Sequence, residues 1–152
     1  MSGAGAPKLN IDASDLQVAI VVTSWHTNIT DGLLAGAERA LKAAGNETYE
    51  IWRVPGAFEL PLAAQKAIEA GADVVIALGV VIQGDTPHFD YVCSSATEGL
   101  TRVQLDSGVP IGFGLLTVNT EQQALDRAGL PDSREDKGAE AVEAAVMMAH
   151  LG

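Results

Sequence analysis

Cysteine and basic residues are scarce in this chain of 152 residues. The one cysteine, Cys93, can form no disulfide within the chain, which is typical of a reducing compartment, and we expect a cytoplasmic location. Nine basic residues stand against twenty acidic ones, which gives a net charge of −11. Because this charge repels phosphate backbones and anionic lipids, we expect neither nucleic acid nor a membrane as a partner.

Long apolar runs and metal-binding motifs are also lacking. No run reaches the roughly eighteen apolar residues that a membrane helix needs, and the first residues have no hydrophobic block typical of a signal peptide. The three histidines, His26, His88 and His150, lie far apart, and neither CxxC nor HExxH occurs, so we expect no metal. Because GxGxxG and the P-loop motif are absent, we expect no nucleotide cofactor.

Strand and helix patterns alternate along the chain. Residues 1–10 are rich in glycine and alanine and are expected to be flexible, whereas residues 11–152 have the length of one domain. Apolar strands alternating with helices predict an α/β fold: a three-layer αβα sandwich of the flavodoxin-like kind around a parallel sheet. The strand patterns cover residues 16–23, 48–54, 72–82 and 109–118, and the helical patterns begin near residues 28, 60, 87, 121 and 137.

Residues 79–92, GVVIQGDTPHFDYV, combine an anion-binding turn with a histidine. After the turn, Thr86 is predicted to cap a helix whose first residue is Pro87. The N–H groups and the positive dipole at such a helix start favour a phosphate. His88 follows within one turn, and an imidazole is suited to proton transfer near neutral pH. The segment therefore predicts proton transfer beside a phosphorylated small molecule.

Two other loops are predicted to converge on this histidine. Trp25 follows the first strand, and residues 56–59 follow the second. Ligands of parallel sheets bind beyond the carboxyl ends of the strands, so these loops and residues 84–88 are expected to share one site. The residues alone leave open whether His88 is a catalyst or an incidental surface histidine.

The segment at 79–92 resembles that of the 6,7-dimethyl-8-ribityllumazine synthases. Residues 24–26 (SWH), 55–61 (PGAFELP) and 123–129 (QALDRAG) share the resemblance, which spans about residues 16–149. It implies the strand order 2-1-3-4, no cofactor and two small-molecule substrates. The implied reaction is the penultimate step of riboflavin biosynthesis, in which 5-amino-6-(D-ribitylamino)uracil condenses with 3,4-dihydroxy-2-butanone 4-phosphate and phosphate and water are released.

The resemblance also implies a site shared by two subunits, with His88 as the proton-transfer residue. The substrate phosphate would bind Gly84, Asp85 and Thr86, together with Arg127 of a neighbouring subunit. The neighbour would also supply Phe113 to cover the pyrimidine ring. The implied contacts to the pyrimidine and ribityl groups are Trp25, Ala57, Phe58, Glu59, Val80, Val81, Ile82, Phe113 and Lys137.

Several of these residues also have a purely structural explanation. Without the resemblance, Phe113 is predicted to be a core residue. Glu59 and Arg127 have positions in which a charge offsets a helix dipole, and Lys137 has a position typical of a solvated surface. The chain departs from many family members at Gln83, where they carry arginine or lysine.

The resemblance implies rings of five subunits, which remain single, stack as decamers or close into hollow shells. The loop at residues 130–136 is long and carries a proline and four charges, which disfavours the close contacts of a shell. We therefore expect a homopentamer or a face-to-face decamer. The alternative is a non-enzymatic flavodoxin-like module that binds a flavin or a lumazine. Such a module needs no proton shuttle beside a phosphate, so His88 and Arg127 discriminate between the two hypotheses.

Overall fold

The computed structural model describes residues 11–152, so the predicted flexibility of residues 1–10 lies outside the described part of the chain. The strands are β1 (Val18–Thr23), β2 (Glu50–Val54), β3 (Val74–Ile82) and β4 (Ile111–Val118). The helices are α1 (Thr27–Ala43), α2 (Leu60–Glu69), α3 (His88–Ser107), α4 (Glu121–Leu125) and α5 (Lys137–Ala149). A short 3-10 helix, Ala57–Glu59, leads into α2. No helix within residues 11–152 is long and apolar enough to cross a membrane.

All four strands run parallel in the order β2-β1-β3-β4, which confirms the predicted sandwich. Helices α1 and α5 cover one face of the sheet, and α2 and α3 cover the other. The apolar strand β3 serves both layers: Ile76 and Leu78 pack toward α1 and α5, whereas Val75 and Ala77 pack toward α2 and α3. An unbroken apolar run is therefore required over residues 74–80, which are buried, whereas Val81 and Ile82 at the end of the strand are half-buried.

The predicted helix ends agree with the structure to within a few residues. Gly45 follows α1 at a φ of 85°, a conformation that glycine adopts without strain, and it stops that helix as predicted. Thr120 caps α4, since its side-chain oxygen accepts the N–H of Gln123 at 3.2 Å. The prediction for α3 is wrong by one residue, because Pro87 precedes the helix rather than opening it.

Candidate active site

An open pocket of about 680 Å³ lies at the carboxyl ends of β1, β2 and β3. We call it the Trp25 pocket. Its lining residues lie at the ends of these strands or in the segments that follow them, where the chain leaves the sheet before the next helix starts. The pocket is lined by Trp25, His26, Gly56, Ala57, Phe58, Glu59, Val80, Val81, Ile82, His88 and Val92.

Trp25 is held at the mouth of this pocket by the turn between β1 and α1. His26 adopts a left-handed backbone conformation with φ 56°, and its carbonyl oxygen accepts the N–H groups of Ile29 and Thr30 at 2.9 and 3.0 Å. This turn leaves the Trp25 side chain 67% exposed. A large aromatic side chain that is exposed at a pocket can stack on a flat ring of a ligand.

Glu59 is oriented by the loop that follows β2. One of its carboxylate oxygens accepts the N–H of Gly56 at 3.1 Å, which closes the turn leading into the 3-10 helix. Phe58, beside it, is 65% exposed. The loop therefore presents an apolar ring and a fixed carboxylate to the same space, a combination suited to a ligand with both a heterocycle and hydroxyl groups.

His88 is the first residue of α3 and closes the far side of the Trp25 pocket. Its N–H donates to the Thr86 side-chain oxygen at 3.4 Å, but Pro87 occupies the N-cap position and no side chain caps the helix, so the prediction of Thr86 as the N-cap is wrong. Gly84, Asp85 and Thr86 form an exposed turn next to the pocket. Gly84 has no positive φ, and a Cβ there would meet no atom within 4 Å in the described chain. The turn of a single subunit therefore does not require glycine.

A second pocket, of about 550 Å³, lies along the edge strand β4. We call it the Phe113 pocket. It contains the other three predicted site residues, Phe113, Arg127 and Lys137, and no residue that lines the Trp25 pocket. The structure thus divides the predicted site residues of one chain between two separate surfaces.

Phe113 itself is 48% exposed, so its prediction as a core residue from the sequence pattern alone is wrong. It lies on the α3 side of β4, between the buried Ile111 and Leu115. Because β4 is an edge strand, the helix layer covers it only in part, and an apolar residue in the uncovered stretch stays exposed.

The charges at the Phe113 pocket are arranged around one carboxylate, that of Glu135. Its two oxygens lie 3.5 Å from Arg127 Nε and 3.3 Å from Lys137 Nζ. Arg127 also donates to the carbonyl oxygen of Gln123 at 2.8 Å, and Lys137 contacts Glu140 at 3.3 Å. Two cations and two carboxylates are therefore held together at one pocket, and an oxyanion bound there would compete with Glu135 and Glu140 for the cations.

Two residues of the Trp25 pocket are missed by the sequence reasoning, namely His26 and Val92, whereas Gly56 belongs to the predicted loop at residues 56–59. The signal for His26 was its position directly after Trp25 in the loop that follows β1. Cys93, near His88 on α3, is half-buried, and burial, followed by the charge of Asp90, raises the pKa of its thiol. A raised pKa leaves less thiolate at neutral pH, so this cysteine is a poor nucleophile.

Comparison with known proteins identifies the family. The sequence profile of the 6,7-dimethyl-8-ribityllumazine synthases matches residues 15–152. A protein of that name from Kineococcus radiotolerans is 63% identical over 96% of this chain and 91% of the relative. Proteins of the same name from Leifsonia xyli subsp. xyli and Clavibacter sepedonicus are each 60% identical, over 98% and 99% of this chain and 95% and 96% of the relatives. The chain therefore belongs to the 6,7-dimethyl-8-ribityllumazine synthase family, whose members are transferases of riboflavin biosynthesis.

Proposed function

We propose that this chain condenses 5-amino-6-(D-ribitylamino)uracil with 3,4-dihydroxy-2-butanone 4-phosphate to 6,7-dimethyl-8-ribityllumazine. The amine adds to the ketone and loses water to form an imine, phosphate is eliminated, and ring closure releases a second water. The observation that carries this proposal is the Trp25 pocket, in which an aromatic ring, a fixed carboxylate and an imidazole face one space. No cofactor is required, because the amine and the ketone react readily once they are held together.

The pyrimidine binds between aromatic rings in this proposal. Trp25 stacks on one side of it, and the backbone of residues 80–82 reads its edge. The neighbouring subunit's copy of Phe113 covers the other side. Glu59 and the backbone of residues 57–58 hold the ribityl hydroxyls. The exposure of Trp25 and Phe58 supports this role, because an aromatic surface that is open in one subunit remains available to a flat ligand.

The phosphate binds at the turn of residues 84–86 in this proposal, beside His88. Arg127 of the neighbouring subunit completes the phosphate site, whereas Lys137 of the same neighbour contacts the ribityl group or the ring. The position of Arg127 supports this role, since its guanidinium lies in the Phe113 pocket, its side chain is 34% exposed and a guanidinium binds phosphate oxygens with two parallel hydrogen bonds.

Quaternary structure follows from the division of the site. We propose that residues 11–152 act as one domain in a cytoplasmic homopentamer of roughly 80 kDa with cyclic symmetry, or in a face-to-face decamer of two such rings. Each site then combines the Trp25 pocket of one subunit with the Phe113 pocket of the next. The exposed charges of Asp132 and Arg134, in the loop at 130–136, support a ring rather than a closed shell.

Incubation of the protein with both substrates tests this function. We expect phosphate release to accompany the rise of lumazine absorbance, in equal amounts. A protein that binds riboflavin or a lumazine but releases no phosphate would contradict the proposal and favour the non-enzymatic binding module. Light scattering tests the assembly: a monomer would contradict the shared site, and a particle near a megadalton would contradict only the loop argument.

A further inference from the structure

The segment that carries Arg127 is held by a short antiparallel ladder. The N–H of Glu135 donates to the carbonyl oxygen of Asp126, that of Gly129 to Glu135, and that of Lys137 to Arg127, each at 3.0 Å. The two chain segments therefore run side by side from the end of α4 to the start of α5. The position of the Arg127 backbone depends on whatever fixes this ladder.

One carboxylate, that of Asp136, ties the ladder to helix α1. Its Oδ1 accepts the N–H of Ala139 at 3.0 Å and so caps α5. Its Oδ2 accepts a hydrogen bond from Arg39, on α1, at 3.0 Å. The same guanidinium nitrogen of Arg39 donates to the carbonyl oxygen of Gly129 at 3.3 Å. Arg39 thus contacts both strands of the ladder from a helix whose buried face belongs to the main core.

The Asp136 carboxylate occupies a recess that glycine makes possible. A Cβ at Gly36 on α1 would lie 2.2 Å from Asp136 Oδ1, and one at Gly129 would lie 2.6 Å from the carboxyl carbon. The three atoms nearest to the Gly36 position all belong to this carboxylate. The recess, the hydrogen bonds and the ion pair with Arg39 therefore all favour the same position of the Asp136 side chain.

We propose that Arg39 and Asp136 are positioning residues for the Arg127 guanidinium, an inference that rests on the proposed function. Neither residue lines the Phe113 pocket, so neither contacts a ligand bound there. They act through the ladder, by anchoring Gly129 two residues beyond Arg127. A guanidinium that must reach into a neighbour's site needs a fixed backbone, because displacement of a binding group by about 1 Å can cost up to ~10²-fold in rate.

The variant Gly36→Ala tests this proposal by moving the Asp136 carboxylate. The added methyl group would lie 2.2 Å from Asp136 Oδ1, so the carboxylate must leave its recess and lose its contacts to Arg39 and to the start of α5, whereas alanine itself is the better residue for the interior of α1. We expect the KM for the phosphorylated ketone to rise roughly tenfold and the KM for the pyrimidine amine to rise clearly less, because the ladder also holds Lys137 but the other pyrimidine contacts of that subunit pair lie in the Trp25 pocket. Arg39→Ala should show the same split, and Arg39→Lys should restore part of the affinity through the charge on Asp136.

Arg102→Ala is the matched control, because Arg102 is an exposed arginine paired with Asp106 at 3.4 Å, away from both pockets of the site. Its KM values should equal those of the wild type. Unchanged KM values in Gly36→Ala and Arg39→Ala, or an equal rise for both substrates, would overturn the positioning role. Should Arg39→Ala fold poorly, Gly36→Ala and Arg39→Lys decide the matter. A wild-type protein that forms no lumazine would overturn the proposed function and this inference together.

Discussion

Recovery of activity in rings built from two defective variants provides a direct test of the shared site. The variants are His88→Ala, which changes the Trp25 pocket, and Arg127→Ala, which changes the Phe113 pocket; the two pockets have no residue in common. In a mixed ring, a native site forms between two different subunits. The Arg127→Ala subunit supplies an intact His88, and the neighbouring His88→Ala subunit supplies an intact Arg127.

The size of the effect follows from the cyclic arrangement. With equal amounts and random order, each of the two subunits at a site is of the required type with a probability of about one half, so about one site in four is native. Loss of general acid–base catalysis should slow His88→Ala rings by ~10²-fold, with the residual rate supplied by proximity. Loss of a charge-assisted contact to the phosphate should slow Arg127→Ala rings by ~10- to 100-fold when that substrate is below saturation. Mixed rings should therefore reach about a quarter of the wild-type rate, well above either parent.

The assay uses co-expression of the two variants with different affinity tags. Rings purified on both tags in succession contain both kinds of subunit. Lumazine formation is then measured with the phosphorylated ketone below saturation. Rings that combine His88→Ala with Trp25→Ala are the control, because both substitutions fall in the Trp25 pocket and no arrangement of these subunits restores a native site.

Two results would refute the reasoning. If rings of His88→Ala and Arg127→Ala show only the mean rate of their parents, each site lies within one chain. If the control pair gains as much as the test pair, the recovery does not depend on which pocket is changed, and the division into two half-sites is wrong.

Three further predictions concern single residues. Trp25→Ala should weaken the affinity for riboflavin or a lumazine by about tenfold, because the stacking on the ring is lost. The affinity is measured from the quenching of the fluorescence of Trp52, the remaining tryptophan, and an affinity equal to that of the wild type would contradict stacking. Gln83→Arg should lower the KM for the phosphorylated ketone more at low ionic strength than at high, because salt screens exposed charges beyond about 10 Å at 0.1 M; no change at either would show that residue 83 faces away from the phosphate. Thr23→Val should raise stability by about 1 kcal/mol, since the buried Thr23 hydroxyl has no hydrogen-bond partner in the described chain; a lower melting temperature would contradict this.

The order and type of the elements were predictable from the sequence because they depend on local signals. The apolar run of β3 predicts a strand covered on both faces, and Gly45 marks the end of α1. The position of the Trp25 pocket was predictable as well, since the carboxyl ends of parallel strands meet at one edge of the sheet. The start of α3 was predicted one residue too early, because the exact boundary of a helix depends on the cap geometry and not on the sequence pattern alone.

The surroundings of particular side chains were decided by the tertiary structure. Nothing local distinguishes the exposed Phe113 from its buried neighbours on β4, because exposure there depends on how far α3 extends over the sheet edge. The contacts of Asp136 also could not be predicted from local signals, since Arg39 and Gly36 lie about a hundred residues earlier in the chain. Periodicity and capping act over one or two turns of chain, so they determine the elements. Contacts between distant segments depend on the packing of whole layers, and only the folded chain brings those segments together.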